Sequence, residues 1–206
     1  MKLKKLAIFT FLLAGFFFFQ LNETTQAATL QSGSSGAEVA ELQKTLSYLG
    51  YFEGTATGYY GPLTEGAVRN LQRDFHLGVD GVTGPVTHKM VNDIENMARV
   101  VHGEARGESY EGQVAVAAVI FNRVKDKGFP STINNVIFQR NAFTAVHDGQ
   151  YNLTPSSAAY KAVKDAWLGW DPTNGSTYYY NPTIATSQWI FTRKTVLSIG
   201  NHVFAR

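Results

Sequence analysis

Residues Gln113 to Lys125 read Gln-Val-Ala-Val-Ala-Ala-Val-Ile-Phe-Asn-Arg-Val-Lys, a segment apolar on nearly every face of a helix. Such a helix has no side to offer water, so it must run through the middle of a domain with other elements covering it. That requirement places a packing centre in the second half of the chain. Immediately upstream, Met97-Ala-Arg-Val-Val-His-Gly-Glu-Ala-Arg-Gly-Glu108 puts Glu104 at the glycine-flanked end of a preceding helix. A carboxyl group held against a buried helix is partly desolvated, which favours its protonated form near neutral pH. General-acid cleavage of a glycosidic bond needs a carboxylic acid in that state.

The 206 residues suit one or two compact domains, and residues 1–28 are expected to belong to neither. Lys2, Lys4 and Lys5 form a basic start, Leu6 to Phe19 is an apolar run broken by Thr10 and Gly15, and Thr25-Gln-Ala-Ala28 supplies small residues suited to a signal peptidase. The expectation is a secretory signal cleaved after Ala27 or Ala28 rather than a retained anchor, because the apolar run falls short of the ~20 residues that span a bilayer. The chain carries 18 basic and 16 acidic residues; without Lys2, Lys4, Lys5 and Glu23, fifteen of each remain. The net positive charge therefore belongs to the signal, and nucleic acid is not expected as a partner. With no cysteine, the chain has neither disulfides nor a thiol nucleophile.

Between residues 29 and 91 the sequence echoes itself. Gly58-Tyr-Tyr-Gly-Pro-Leu-Thr64 and Gly81-Val-Thr-Gly-Pro-Val-Thr87 match at Gly, Gly, Pro and Thr. In each copy a glycine turn leads into proline, a residue tolerated in the first turn of a helix. Val39, Leu42, Leu46 and Leu49, then Val68, Leu71 and Phe75, recur at helical spacing. Three short helices joined by glycine turns are predicted. Tyr51, Phe52, Tyr59 and Tyr60 offer rings that stack on sugar faces, with at least one expected in the core. The Asp80–Thr87 close and the Ala67–Gln72 helix resemble the type 1 peptidoglycan-binding domain, a three-helix module found beside cell-wall enzymes. No Pro-, Gly- or Ser-rich linker follows, so the two units are expected to be docked rather than tethered.

The second unit, residues 92–206, starts helical. Thr154 as N-cap with Pro155 in the first position predicts a helix ending near Gly169. Beyond Gly175, Thr177–Tyr180, Trp189–Thr192, Thr195–Ile199 and His202–Phe204 are rich in β-formers and predict a small antiparallel sheet. The fold class is therefore α+β, with a cleft between helices and sheet.

Seven acids follow Met97: Glu104, Glu108, Glu111, Asp126, Asp148, Asp165 and Asp171. A two-carboxylate glycosidase draws its pair from these, at separations of ~5–9 Å. Glu104 and Glu108 share a face only if the helix continues past Gly107. Glu111 is better read as a solvated charge at a helix start, and Asp148-Gly149 and Asp171-Pro172 as turns. No Gly-x-Ser-x-Gly elbow and no His-Glu-x-x-His pair occurs, and His102, His147 and His202 are scattered, so neither a serine triad nor a metal site is expected.

Five blocks in order carry a closer resemblance: Glu104-Ala-Arg-Gly-Glu through Asn122-Arg-Val124, Phe143-Thr-Ala-Val146, Leu168-Gly-Trp-Asp-Pro172, Tyr178-Tyr-x-Asn-Pro182 and Ile199-Gly-x-His-x-Phe204. Together they resemble the spore cortex-lytic, SleB-type family of cell-wall hydrolases, which pair a signal and a peptidoglycan-binding module with a catalytic domain. The resemblance implies a fold akin to lytic transglycosylases, with one catalytic glutamate, Glu104, and no cofactor or metal. The implied reaction cleaves the muramic acid to N-acetylglucosamine bond of spore-cortex peptidoglycan during germination and leaves 1,6-anhydro-muramic ends. Tyr178, Asn181, Tyr179, Phe143 and Trp189 supply aromatic surface and amide hydrogen bonds suited to a glycan groove, Tyr178 and Asn181 foremost. Arg106 is an exposed helix-end arginine that can meet a substrate carboxylate, and His202 reads as a structural histidine. The resemblance further implies an exported monomer acting at the spore envelope under the control of a partner protein. Competing readings are a hydrolytic muramidase or glucosaminidase, a non-catalytic wall-binding protein and, least favoured, a metal amidase.

Overall fold

A computed structural model describes residues 28–206, so the expected signal segment lies, but for Ala28, outside the described residues. Helices α1 (Ala37–Tyr48), α2 (Pro62–Asp74) and α3 (Pro85–Ala105) open the chain. The prolines of α2 and α3 sit at the helix starts that the two Gly-Pro echoes predict, where a missing N–H costs nothing. Each echo is braced by a buried glutamine. Gln43 accepts from Gly58 N (2.9 Å) and donates to Thr64 Oγ1 (2.9 Å) and the Tyr59 carbonyl (2.9 Å). Gln72 repeats the pattern on Gly81 N (2.9 Å), Thr87 Oγ1 (3.1 Å) and the Val82 carbonyl (3.0 Å). Each turn thus hangs from a Leu-Gln pair one helix upstream, Leu42-Gln43 or Leu71-Gln72.

Helix α3 is continuous over 21 residues and crosses the unit boundary expected at residues 91 and 92. Its first turns close the N-terminal bundle and its last turn carries Glu104. Helix α4 (Tyr110–Lys125) follows, capped by Ser109, whose hydroxyl accepts from Gly112 N. Its residues Val114 to Phe121 are all buried, as an all-apolar helix requires. Short helices α5 (Ile133–Ile137) and α6 (Thr144–His147) lead to α7 (Ser157–Trp167). The cap of α7 is Ser156 rather than the expected Thr154: its hydroxyl accepts from Ala159 N at 3.3 Å, while Pro155 is buried ahead of the helix.

Strands β1 (Tyr178–Tyr180), β2 (Thr195–Ile199) and β3 (His202–Ala205) form an antiparallel sheet in the order β1-β3-β2. The fourth expected strand is instead a 3-10 turn, Ile190–Thr192. There Thr192 Oγ1 donates to the Trp189 carbonyl at 2.8 Å, a local bond that draws the backbone away from a ladder. Helix α4 lies between two packing layers. One side joins a core running from Leu30 to Ala166 that includes both units; the other, through Ala115 and Val119, meets Phe204, Tyr179, Leu197 and Ile199 of the sheet.

The units are joined by more than the shared helix. Trp167 stacks on Phe75 (5.1 Å) and its indole donates to the Asp74 carbonyl at 3.0 Å. Tyr48 stacks on Tyr160 (5.0 Å), and Lys164 lies 4.2 Å over the Tyr51 ring. Of the four aromatic residues considered for sugar stacking, Phe52 and Tyr60 are buried, Tyr51 bonds to Asp74, and Tyr59 is the exposed one.

Candidate active site

Glu104 is half-buried in the last turn of α3, where the helix end, α6 and the sheet converge. Both carboxylate oxygens are held. The first-turn amide of Ala145 in α6 donates to Oε1 at 2.6 Å, and the Tyr179 hydroxyl of β1 donates to Oε2 at 2.9 Å. Gly103 makes the first contact possible, since a Cβ at that position would stand 2.5 Å from the Ala145 Cβ. The glycine beside the acid is therefore a packing requirement for α6.

Tyr179 is well placed to remain a donor. Burial first, and then the nearby Glu104 charge, push its hydroxyl pKa well above the usual phenol value. Its ring packs on His202 (5.1 Å) and Phe204 (5.9 Å). His202 is 8% exposed, its Nδ1 lacks a hydrogen-bond partner, and burial keeps its pKa low against the opposing pull of Glu108 and Glu104. The imidazole is therefore neutral around pH 7.

The sequence-predicted residues divide into three groups. Tyr178 and Trp189 form an edge-to-face pair at 5.2 Å, with Trp189 50% exposed and carrying Arg193 over its ring at 4.6 Å. Asn181 lies beside a depression of about 240 Å³ that it shares with Ser198, Asn201 and His202. Its Oδ1 is occupied by Thr183 N and Oγ1. Phe143 needs correction as a sugar-stacking surface. It is 2% exposed and lies beneath the site, with the Arg123 guanidinium 4.9 Å from its ring centre. A ring so buried, 6.4 Å from the Tyr179 ring, has little face to offer a sugar.

Five of the other six acids that follow Met97 have structural partners. Helix α3 ends at Ala105, so Glu108 does not share its face with Glu104. Instead Glu108 accepts from Asn201 N (3.1 Å) and Nδ2 (2.9 Å), fastening the β2–β3 turn. Burial works against that charge, but the Asn201 bonds outweigh it and hold the carboxyl below its usual pKa. Asp165 accepts from the Tyr110 hydroxyl, Asp171 accepts from Thr173, Gly175 and Asn122, Asp148 accepts from Gln150, and Asp126 accepts from Gly128 N. Arg106 is exposed and bonds Gly103 O and Gln150. Among the described residues no cluster of three metal-ligating side chains occurs. A cavity of about 690 Å³ lies elsewhere, on the seam between α1, α3 and α7, lined by Tyr48, Glu95, Arg99 and Tyr160.

Two groups around Glu104 were not singled out from the sequence. The Ala145 amide is a backbone group, invisible to residue-type reasoning. Arg123 had a partial signal: it is an arginine on a helix apolar on nearly every face, two positions after Phe121.

Comparison with known proteins is consistent across the chain. The Cell Wall Hydrolase family matches residues 107–205, beginning three positions after Glu104, and the peptidoglycan binding domain family matches residues 35–91. A spore cortex-lytic enzyme of Bacillus cereus is 42% identical over 86% of this chain and 86% of its own length. One from Oceanobacillus iheyensis is 38% identical over 86% and 87%. The solved catalytic domain of the germination-specific lytic transglycosylase SleB from Bacillus anthracis is 58% identical, with a TM-score of 0.54, over 56% of this chain and 94% of that one.

Proposed function

The chain belongs to the spore cortex-lytic enzyme family of cell wall hydrolases, and from that premise we propose that Glu104 is its one catalytic carboxyl group, acting on peptidoglycan glycan strands. The observation that carries this reading is the isolation of Glu104. Among the seven acids that follow Met97, Glu104 is the one held by the first-turn amide of α6 on one oxygen and a strand hydroxyl on the other, while Glu108 and Asp171 brace turns and Asp165 takes the Tyr110 hydroxyl.

Protonated Glu104 donates to the oxygen linking muramic acid to N-acetylglucosamine, and the C1–O bond breaks. The carboxylate left behind is received by the Ala145 amide and the Tyr179 hydroxyl, already aimed at it, so little reorganisation is needed as charge develops. It then takes the proton of the muramic C6 hydroxyl, whose oxygen bonds to C1 and closes the 1,6-anhydro ring. Glu104 returns to its starting state, and neither water nor a second carboxylate enters the balance. Tyr178, Asn181 and Trp189 line the approach and hold the sugar rings, and Phe143 supports them from below. The N-terminal module holds the wall polymer, with Tyr59 its exposed ring. The same reading makes the protein an exported monomer of the spore envelope, active in germination and restrained until then by a partner protein.

Glu104→Gln tests the proposal: lysis of cortex fragments should fall by at least about 10³-fold with wall binding retained. Lysis at the wild-type rate would sink it. Mass spectrometry of the released ends separates the two cleavage chemistries, because anhydro ends support ring closure and reducing ends support a hydrolytic muramidase.

A further inference from the structure

Helix α4 buries one full charge. Arg123 is 6% exposed, and among the described residues no carboxylate forms a salt bridge with it. An apolar side chain of similar length serves a core at least as well as an uncompensated cation does. What the guanidinium holds accounts for its presence. Nε donates to the Thr177 carbonyl at 2.7 Å, and Nη1 donates to the Ala142 carbonyl at 3.4 Å. Thr177 stands two residues before Tyr179, the donor to Glu104 Oε2, and Ala142 stands three before Ala145, the donor to Oε1. The rings of Phe143 (4.9 Å), Phe129 (5.3 Å) and Tyr178 (5.9 Å) surround the guanidinium and fix its position. One side chain therefore bonds to both segments that carry the donors on the acid. Its charge also reaches Tyr179 and Glu104: burial draws the guanidinium below its usual pKa, while Tyr179, Tyr178 and Glu104 act in the opposite direction.

We propose that Arg123 is the positioning residue of the reaction, fixing the two segments that bring the Ala145 N–H and the Tyr179 O–H to Glu104 and lending its buried charge to the carboxylate formed on proton donation. The inference rests on Glu104 as the acid. Arg123 touches no sugar in this role, so it acts on the rate of the bond-breaking step and leaves substrate affinity alone. The planar fork is essential, because it reaches two carbonyls in different segments at once, which a lysine ammonium at the end of a flexible stem does not reproduce.

The test uses the full chain as wild type, Glu104→Gln, Arg123→Met and Arg123→Lys, with kinetics on soluble glycan fragments. Arg123→Met keeps the buried stem and removes the fork and the charge. Its kcat should fall about 10²-fold, with KM within about threefold. Arg123→Lys should recover about tenfold of that loss by restoring the charge. A second readout separates positioning from general loosening. The Ala145 amide resonance should shift in Glu104→Gln, and should lose both its Glu104-dependent shift and its exchange protection in Arg123→Met, while the amides of Val116 and Ile120 stay protected. An unchanged kcat in folded Arg123→Met overturns the proposal, as does a lost kcat with the Ala145 amide unmoved. Loss of the fold in both arginine variants overturns it too, since Arg123 is then a strut of the core. Failure of the underlying functional reading registers separately, as normal lysis by Glu104→Gln.

Discussion

Tyr179 does two things with one side chain. Its ring fills the gap between Phe204 and His202, and its hydroxyl completes the shell of Glu104. Tyr179→Phe separates them, keeping the packing and deleting a donor that matters most when Glu104 is ionised. The variant should melt within about 1.5 kcal/mol of wild type and lose about 10–10² in kcat with little change in KM; a kcat equal to wild type would remove Tyr179 from the mechanism. At this scale the sequence is legible where a residue type has few alternatives. Glu104 stands out because glycines flank it and six other acids can be weighed against it. Phe143 was less legible: an aromatic beside a loop reads equally as sugar platform or as floor, and only the Arg123 guanidinium above its ring decides for the floor.

Elements meet at the site because one side chain is missing. Gly103 lets α6 approach α3 closely enough for an amide to reach Glu104. Gly103→Ala forces the two helices apart, with a stability loss of about 1–3 kcal/mol typical of overpacking. Activity should fall further than that loss explains, because the displaced group is the Ala145 donor. A variant that melts lower but cuts at the wild-type rate per folded molecule argues against this link. Element boundaries were legible where local chemistry is decisive: both Gly-Pro helix starts follow from proline geometry, and α4 from its lack of a polar face. The Trp189–Thr192 segment was not, since its β-forming residues are answered by a Thr192 bond to the Trp189 carbonyl that no periodicity reveals. The Gln43 and Gln72 braces were written in the repeat itself, as a Leu-Gln pair ahead of each turn, and needed only the longer spacing to be compared.

Across the whole molecule, the core passes from the N-terminal bundle into the catalytic unit without a break, so the described chain should melt in one transition. That transition should depend on pH in a defined direction. Burial holds His202 below the ordinary imidazole pKa, and burial followed by the Arg106 charge does the same for His102. Unfolded histidines titrate near 6.5, so below that pH the unfolded chain takes up protons that the folded one refuses. Stability present above the unfolded pKa is then lost as pH falls toward the folded values. Calorimetry from about pH 7.5 to about pH 5.5 should give a falling Tm, less steep in His202→Phe; a flat or rising Tm contradicts it. Helix α3 carries a consequence of its own. At 1.5 Å per residue its 21 residues form a strut about 30 Å long, with the module's last turn at one end and Glu104 at the other. With no swivel between anchor and blade, the enzyme would cut at a set reach from wherever it is moored. Its next cut then requires letting go and mooring afresh, so the length built into the protein is the distance from mooring to cut.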